Sequence, residues 1–514
     1  MLKQIYKDKP LATILFVGFI FRLIAVLFSK GYGMSDDHFL IIEVPQSWVD
    51  GLDVNNWLPG LHNPNAKPCG HSLFYTGLHY YLLLFFKQIG LNDPNFKMYF
   101  IRLIHALYSL ITIVYGYKIT AKLSSEKNAK VVAWLLALLW CFPMLSVRNL
   151  VEMVCIPPLI FSMWLIVKYW NEDKKKIFLL AGLIAGLAFS IRFQTSTFIA
   201  GMGLAILLNK KYFESVLFGI GAIISVCLIQ GGIDFLIWGK PFAEFEEYTL
   251  YNMQHANDYI VGDWYNYLLL IAGILIPPIS FFIVFGNIIN WRKMLVVVLP
   301  SLLFLIFHSA FPNKQERFIL PIIPFLILAG ISGWNSFAEQ SNFWIKRKKT
   351  LQNIWVWFWV LNIVVLLILT PSSTKISRVD AMNYLSAKVD LKNFILETSN
   401  SDETILMPRF YLKKWINFYS LKKSDSLDTF ARNLITKSIS EHPNYIVFGE
   451  SENLENRLAK IQKHFNDVTF ETTIQPSYLD KIMHWLNPYG NENQTYFIYK
   501  LGNLKSSDEI SIYN

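Results

Sequence analysis

An acidic motif follows the first long apolar run of the chain. Asp36 and Asp37 stand side by side, His38 comes next, and Glu43 follows within one helical turn or two. A carboxylate in such a position can accept a proton from a hydroxyl group as a general base. We therefore predict that Asp36 and Asp37 are catalytic, and that His38 and Glu43 contact the substrate.

Cationic residues occupy later turns between apolar runs. Arg148 lies in one such turn, Arg192 in another, and Lys314 with Arg317 in a third. Arginine and lysine bind phosphate and stabilise the negative charge that develops on a leaving group. We predict that these four residues bind a phosphate, because transfer from a sugar phosphate needs cations at that point.

Further polar and aromatic residues occupy the same turns. We predict that six of them contact the substrate: Glu152, Asn252, Tyr259, Trp264, His308 and Glu316. Each candidate also has an ordinary explanation. An acidic pair caps helices, arginines anchor helix ends at headgroups, aromatic residues form interfacial belts, and oppositely charged neighbours form surface ion pairs.

The elements that must position these residues are hydrophobic helices. Of the 514 residues, 53% are hydrophobic and only 16% are charged. Lipid offers no partner to backbone polar groups, so long apolar runs are expected to be helical spans. Eleven spans are predicted, at 11–28, 98–117, 130–145, 151–169, 177–190, 194–209, 212–238, 265–288, 294–311, 317–335 and 353–370.

The distribution of basic residues predicts a topology. They cluster in alternate gaps, for example near Lys122, Lys175 and Lys348, and basic clusters mark cytoplasmic loops. This places the N-terminus inside and the polar candidates outside. It also requires that the apolar stretch 73–89 lies at the membrane surface, as an interfacial helix in an external loop 29–97. A crossing by 73–89 is the alternative.

The polar tail, 371–514, is predicted to be a small external α/β domain after a membrane domain at 1–370. Its predicted strands are Glu403–Met407, Tyr445–Phe448 and Thr495–Tyr499, and its predicted helices are 379–396 and 428–440. The net charge is +10, but the Lys and Arg residues lie beside the predicted spans, where they are a topology signal. This argues against nucleic acid as a partner. The four cysteines show no metal-binding spacing, so we predict no metal and no cofactor.

Four segments together form a recognisable series. They are Asp36-Asp37-His38-Phe39-Leu40; Arg148-Asn149 with Glu152; Asp234, Trp238-Gly239, Tyr248, Asn252, Tyr259, Gly262, Trp264 and Tyr267; and Asn313-Lys314-Gln315-Glu316-Arg317-Phe318. This series resembles the motifs of the Alg9-like mannosyltransferases, glycosyltransferase family 22. Two positions depart from that pattern, because Asp37 replaces a Glu and Asn313 replaces a His. The departures leave the acceptor and the sugar open.

The resemblance implies an all-α multi-pass membrane protein of the GT-C fold. It implies inverting transfer of a sugar, mannose first, from a polyprenyl-phosphate-linked donor to a glycan or glycolipid acceptor, at the external face of a bacterial plasma membrane or an ER membrane. Membrane lipid would be a further partner. The alternatives are another GT-C transferase or ligase, a transporter of polyprenyl-linked lipid or oligosaccharide, and a membrane anchor for the tail.

Overall fold

The structure is a computed structural model of the chain. It describes residues 8–59, 66–402, 404–488, 491 and 495–505. The chain divides into two compact units. The first, here called the membrane unit, comprises Met1–Phe28, Trp48–Ile89 and Met98–Pro371, and the second, here called the tail unit, comprises Ser29–Ser47, Gly90–Lys97 and Ser372–Asn514. Two parts of the first loop therefore group with the tail.

The membrane unit is built from helices that coincide with the apolar runs. Within the described residues, six helical stretches are long and apolar enough to cross a membrane, or seven if one bent pair forms a single span. The six are Pro10–Phe28, Pro94–Leu123, Val151–Lys168, Tyr212–Trp238, Glu316–Gln340 and Lys348–Leu369. The shorter helices of this unit are Leu73–Gln88, Glu126–Leu138, Phe142–Leu145, Lys176–Ile191, Thr195–Leu208, Ala243–Gln254, Leu295–Ala310 and Asn342–Lys346.

One predicted span is wrong in its geometry. The segment 265–288 is not one helix but two, Asn266–Ile274 and Ile279–Asn290, which meet at an angle of 116°. Pro277 and Pro278 lie between them and lack the backbone N–H that would continue the hydrogen-bond ladder. The stretch 73–89 does form one helix, Leu73–Gln88, and its position at the membrane surface stays a prediction.

Small residues let the helices approach closely, as is common in membranes. A Cβ atom on Gly182 would lie 2.0 Å from the backbone oxygen of Phe218, and one on Gly286 would lie 2.0 Å from that of Gly330. These glycines join Lys176–Ile191 to Tyr212–Val226, and Ile279–Asn290 to Ile323–Gln340. Large apolar side chains on the outside of these helices are exposed, among them Leu228 and Leu236 of Tyr212–Trp238.

Arg22 fixes the first span from inside the membrane unit. Its side chain is buried, and Nε donates to the Ser109 hydroxyl at 2.8 Å. The remaining nitrogens donate to the carbonyl oxygens of Gly18, Leu136 and Ala137. The last two carbonyls end the helix Glu126–Leu138, where they have no intrahelical partner. The arginine therefore satisfies a helix terminus inside the bundle.

The tail unit contains one mixed sheet. Its strands are β1 (Phe394–Thr398), β2 (Tyr419–Lys422), β3 (Tyr445–Gly449), β4 (Thr469–Ile474) and β5 (Tyr496–Lys500), in the order β2-β1-β3-β5-β4. The β1 strand pairs in parallel with β2 and β3, and β5 pairs antiparallel with β3 and β4. The helices of this unit are Ser35–His38, Ile376–Ser386, Arg409–Leu412, Leu427–Ile435, Leu454–His464 and Tyr478–Leu486. The helix Val44–Val49 belongs to it as far as Ser47.

The sequence predictions for the tail are confirmed in part. The strands at Tyr445–Phe448 and Thr495–Tyr499 are β3 and β5. The strand at Glu403–Met407 is wrong, since 404–407 are irregular, and residue 403 lies outside the described residues. The helix at 379–396 is wrong at its C-terminal end, because Phe394 begins the buried strand β1.

The segments that follow the first and last spans pair inside the tail unit. The Thr374 N–H donates to the carbonyl of Lys30 at 3.2 Å, and the Tyr32 N–H donates to the carbonyl of Thr374 at 3.2 Å. The Ser29 hydroxyl donates to the Ser372 carbonyl at 2.8 Å. Since Ser29 follows Pro10–Phe28 directly and Ser372 closely follows Lys348–Leu369, this pairing brings together the two segments that follow these candidate spans.

Candidate active site

A buried group of charges lies in the membrane unit, at the ends of three helical segments. Glu152 forms an ion pair through Oε1 with Nη1 of Arg192, and the same oxygen lies 3.6 Å from Nε of Arg317. The exposed fraction of the side chain is 1% for Glu152, 3% for Arg192 and 12% for Arg317. Arg317 is thus the more accessible of the two cations that share this carboxylate.

Local structure explains why these side chains meet. Glu152 lies on the short helix Val151–Val154, which packs against the 3-10 segment Glu316–Ile322 that carries Arg317. Arg192 follows the helix Lys176–Ile191 in an extended conformation, so its side chain leaves the helical path. Both guanidinium groups also lie over the ring of Phe318, at 5.1 Å for Arg192 and 5.6 Å for Arg317.

The Glu152 carboxylate is shared between two arginines, and part of the Arg192 guanidinium has no partner within the described residues. One carboxylate serves two guanidinium groups, and Arg148, also buried, precedes the Glu152 helix in the same turn. Nε and Nη2 of Arg192 are buried without a hydrogen-bond partner in the described part of the chain. Buried guanidinium donors without a partner favour an anion with several acceptor oxygens. A phosphate fits this requirement.

Aromatic and amide side chains enclose the arginine group, which we call the Arg192–Glu152–Arg317 cluster. Gln194 Nε2 donates to the hydroxyl of Tyr248, and Gln315 Oε1 accepts from Nε of Arg317 at 3.0 Å. Burial raises the pKa of Tyr248 to about 12, and the nearby Arg192 acts against this rise. The hydroxyl therefore stays protonated as a neutral hydrogen-bonding group.

Lys314 occupies a different place from the arginines. Its Nζ donates to the carbonyls of His308, Ser309 and Phe311 at the end of the helix Leu295–Ala310. These carbonyls have no partner within the helix, so the lysine acts as a C-terminal cap. His308 is buried, and its Nδ1 contacts the carbonyl of Phe304 at 2.9 Å. Phosphate binding by Lys314 stays a prediction that requires it to exchange a carbonyl for the ligand.

The remaining candidates of the membrane unit lie on the helix Ala243–Gln254, on the loop that follows it and at the start of the segment Glu316–Ile322. Residues 260–262 pair with 312–314, where Val261 and Asn313 form an antiparallel bridge. Trp264 is 66% exposed, Tyr259 is 44% exposed and bonds to the hydroxyl of Tyr251, and Glu316 is exposed. The side-chain amide of Asn252 donates to its own helix at Tyr248. The pairing brings this loop to the segment that carries Arg317.

The acidic motif belongs to the tail unit, where its two aspartates differ. Asp37 is buried, and its Oδ2 accepts from the backbone N–H of Gly33 at 3.3 Å. Asp36 is only partly buried. Of the two carboxylates, Asp36 is therefore the better candidate for direct contact with an acceptor hydroxyl, and Asp37 is the better candidate for holding the motif in shape.

His38 and Glu43 lie in an aromatic pocket of the tail unit. The His38 ring is stacked between Tyr32 at 4.9 Å and Tyr411 at 5.5 Å, and its exposed fraction is 1%. Glu43 accepts from Nε of Arg409 at 3.3 Å and lies 3.7 Å from Nε2 of His38. Burial lowers the pKa of His38 to about 3, so the ring is neutral. These contacts join 29–47 to the tail, and a substrate contact by either residue stays a prediction.

The buried Glu43 predicts a pH-dependent stability. Burial raises its pKa to about 7, against the opposing effects of Arg409 and the Phe410 N–H. The pKa of Glu43 in the folded protein exceeds its pKa in the unfolded chain, which is about 4.3. Its stabilising contribution to the free energy of unfolding is therefore present below pH 4.3 and is lost as pH rises towards 7. The melting temperature of Glu43→Gln should fall less than that of the wild type between these pH values. A slope equal to that of wild type, or an equal change in exposed Glu455→Gln, would contradict this assignment.

Sequence reasoning missed a second buried network in the membrane unit. The Glu244 carboxylate accepts from the Gly70 N–H at 2.8 Å and from Nε1 of Trp238 at 2.9 Å. Asp234 accepts from the Glu244 N–H at 3.1 Å. Burial raises the pKa of Glu244 to about 7, and the charge of Asp234 adds to the rise. The family-like pattern around Asp234 and Trp238 was the one available signal, and it did not include Glu244.

Metal binding has no ready ligand set in the part of the chain that the structure describes. No group of three or more His, Cys, Asp or Glu side chains is close enough there to hold an ion. The absence of a metal and of a cofactor stays a prediction.

Comparison with solved structures defines the class. ArnT from Cupriavidus metallidurans, bound to undecaprenyl phosphate, has a TM-score of 0.61 and 12% identity, covering 95% of this chain and 96% of that chain. The Archaeoglobus fulgidus oligosaccharyltransferase AglB, in complex with an inhibitory peptide and a dolichol-phosphate, has a TM-score of 0.50 and 10% identity, covering 91% and 74%. The chain is therefore a multi-pass membrane protein of the GT-C fold.

The family follows from the sequence comparison. The chain belongs to the Alg9-like mannosyltransferase family, whose model matches residues 13–408. GPI mannosyltransferase 3 of Yarrowia lipolytica is 24% identical over 363 residues. The match covers 67% of this chain and 66% of that protein, just under two thirds of its length. The resemblance and the fold class predicted from the sequence are confirmed.

Proposed function

We propose that this protein is a mannosyltransferase that takes its sugar from a polyprenyl-phosphate donor and transfers it, with inversion, to a glycan or glycolipid acceptor. The observation that carries the proposal is the Arg192–Glu152–Arg317 cluster, in which one carboxylate is shared by two arginines. Membership of the Alg9-like family supports the sugar and the reaction. The polyprenyl phosphates bound to ArnT and AglB support the type of donor.

The residues divide the chemistry between them. The acceptor oxygen attacks the sugar carbon that carries the phosphate, and its proton passes to the Asp36 carboxylate. The bond between that carbon and the phosphate oxygen breaks, and the polyprenyl phosphate leaves with the bonding electrons. Arg317 and Arg192 stabilise the charge that grows on this phosphate. Glu152 holds the two guanidinium groups in place before the donor arrives.

The proposed function is tested with purified protein in lipid nanodiscs and a panel of labelled polyprenyl-phosphate sugars. We expect consumption of the mannose donor with appearance of polyprenyl phosphate, once an acceptor glycolipid is added. Consumption of the glucose or aminoarabinose donor instead would show a different sugar specificity within the same reaction class. Movement of intact labelled donor across a vesicle membrane, without cleavage, would instead identify a transporter.

The proposal places the reaction at the external face, which gives a topology prediction. In right-side-out vesicles, an impermeant thiol reagent should label Ser451→Cys and should leave Lys175→Cys unlabelled until the membrane is opened. The reason is the basic gap around Lys175, which the positive-inside rule assigns to the cytoplasm. Both variants carry the replacements Cys69→Ala and Cys227→Ala, because the other two cysteines are buried. Equal labelling of both positions before opening would contradict the assignment.

A further inference from the structure

The last helix of the tail unit, Tyr478–Leu486, has an unusual distribution of side chains. None of its described residues is buried. Tyr478 is 77% exposed, Trp485 is 79% exposed and Leu486 is 63% exposed. Tyr478 and Trp485 are seven residues apart, which places them on one face of a helix. A helix on a water-soluble surface turns its apolar face towards the core instead.

Two polar side chains of this helix, Asp480 and His484, bond within the tail unit. The Asp480 carboxylate accepts from the backbone N–H of Lys375 at 3.0 Å and from the Ser477 hydroxyl at 2.8 Å. His484 Nδ1 lies 2.6 Å from the carbonyl oxygen of Asn491. The helix is therefore held by its polar side, and its aromatic face is the side presented outward.

The point of attachment is linked through the chain to the end of a candidate membrane span. Thr374, next to Lys375, bonds to the carbonyl of Lys30, which closely follows the span Pro10–Phe28. The N-terminal end of Tyr478–Leu486 is therefore tethered through two backbone-linked contacts to a residue that lies two positions after this candidate span.

We propose that the aromatic face of Tyr478–Leu486 inserts into the headgroup region of the bilayer and fixes the tail unit on the membrane surface. Tryptophan and tyrosine favour this layer because their rings are apolar and their N–H or O–H groups can contact water or headgroups. Lys481 is exposed beside the aromatic face, where it can reach lipid phosphate. The nine-residue helix is about 13 Å long, which suits a short interfacial contact.

Depth-dependent quenching tests the proposal on the full chain in nanodiscs that each hold one copy. In a background with Cys69→Ala and Cys227→Ala, an environment-sensitive fluorophore is attached at Trp485→Cys. The matched control carries it at Ile439→Cys, which is 77% exposed and also lies in the tail unit. Lipids with a nitroxide near the headgroup should quench position 485 at least threefold more strongly than position 439.

Two results would overturn the proposal. Quenching at 485 that equals quenching at 439 would show that the face lies in water. A blue-shifted emission at 485 without nitroxide quenching would show that protein, and not lipid, covers it. If Trp485→Cys does not fold, the same comparison is made with Tyr478→Cys, which is exposed to a similar degree.

Discussion

Replacement of Arg317 by alanine should lower kcat for donor turnover by about 10²-fold or more. Arg317 is the partly exposed cation of the Arg192–Glu152–Arg317 cluster, so it can meet a phosphate without leaving Glu152. The charge on that phosphate grows as the sugar leaves, and the contact is therefore stronger in the transition state than in the bound donor. Arg317→Lys should recover only part of the rate, because lysine keeps the charge but loses the planar pair of donors.

The control for this experiment is Arg432→Ala, which removes an exposed arginine of the tail unit. Thermal unfolding separates a lost contact from a lost fold, because Arg317 also bonds to Gln315 and packs on Phe318. We expect the melting temperature of Arg317→Ala to stay within a few degrees of wild type. A folded variant with the wild-type rate would place the donor phosphate elsewhere, and Arg148 would become the next residue to test.

Replacement of Asp36 by asparagine should abolish sugar transfer while donor binding persists. A general base contributes about 10²–10⁴-fold to a rate, and asparagine has the same shape without the ability to accept a proton. Single-turnover transfer and equilibrium binding of a donor analogue should be measured on the same preparation. Asp37→Asn should behave differently, because the Gly33 N–H can still bond to the amide oxygen that replaces Oδ2.

A matched surface change, Asp173→Asn, should leave the transfer rate unchanged, since that side chain is 92% exposed on a predicted cytoplasmic gap. Transfer by Asp36→Asn at the control rate would remove Asp36 from the mechanism. An equal loss in Asp37→Asn would assign the base role to the pair.

Much of the membrane fold was predictable because hydrophobic length alone determines it. The runs at 11–28 and 353–370 correspond to the helices Pro10–Phe28 and Lys348–Leu369, and only the second begins clearly earlier than predicted. The two prolines Pro277 and Pro278 indicate a break in the helix, although the apolar run around them suggested one continuous span. In the tail, the helix predicted at 379–396 ran into the first three residues of β1, because a short apolar run fits either structure until its neighbours are known.

The candidate site was predictable in its residue types but not in its arrangement. Charge and motif order selected Arg192, Glu152 and Arg317, yet only the packing of distant segments shows that they share one carboxylate oxygen. The use of Lys314 as a helix cap could not be predicted, because it depends on where the chain turns after Ala310. Glu244 was missed for a similar reason, since its partner Gly70 is remote in sequence.

The pairing of Ser29 with Ser372 has a consequence for biosynthesis. These residues are 343 positions apart, so the first segment of the tail unit is synthesised long before its partners. During translation, residues 29–47 lack the packing partners of Tyr32, His38 and Glu43 until the last span has been inserted. A ribosome adds roughly 5–20 residues per second, so this interval lasts on the order of 20–70 s. Folding of the tail unit is therefore a late event, and truncation before the sheet would leave the acidic motif in an unfolded loop.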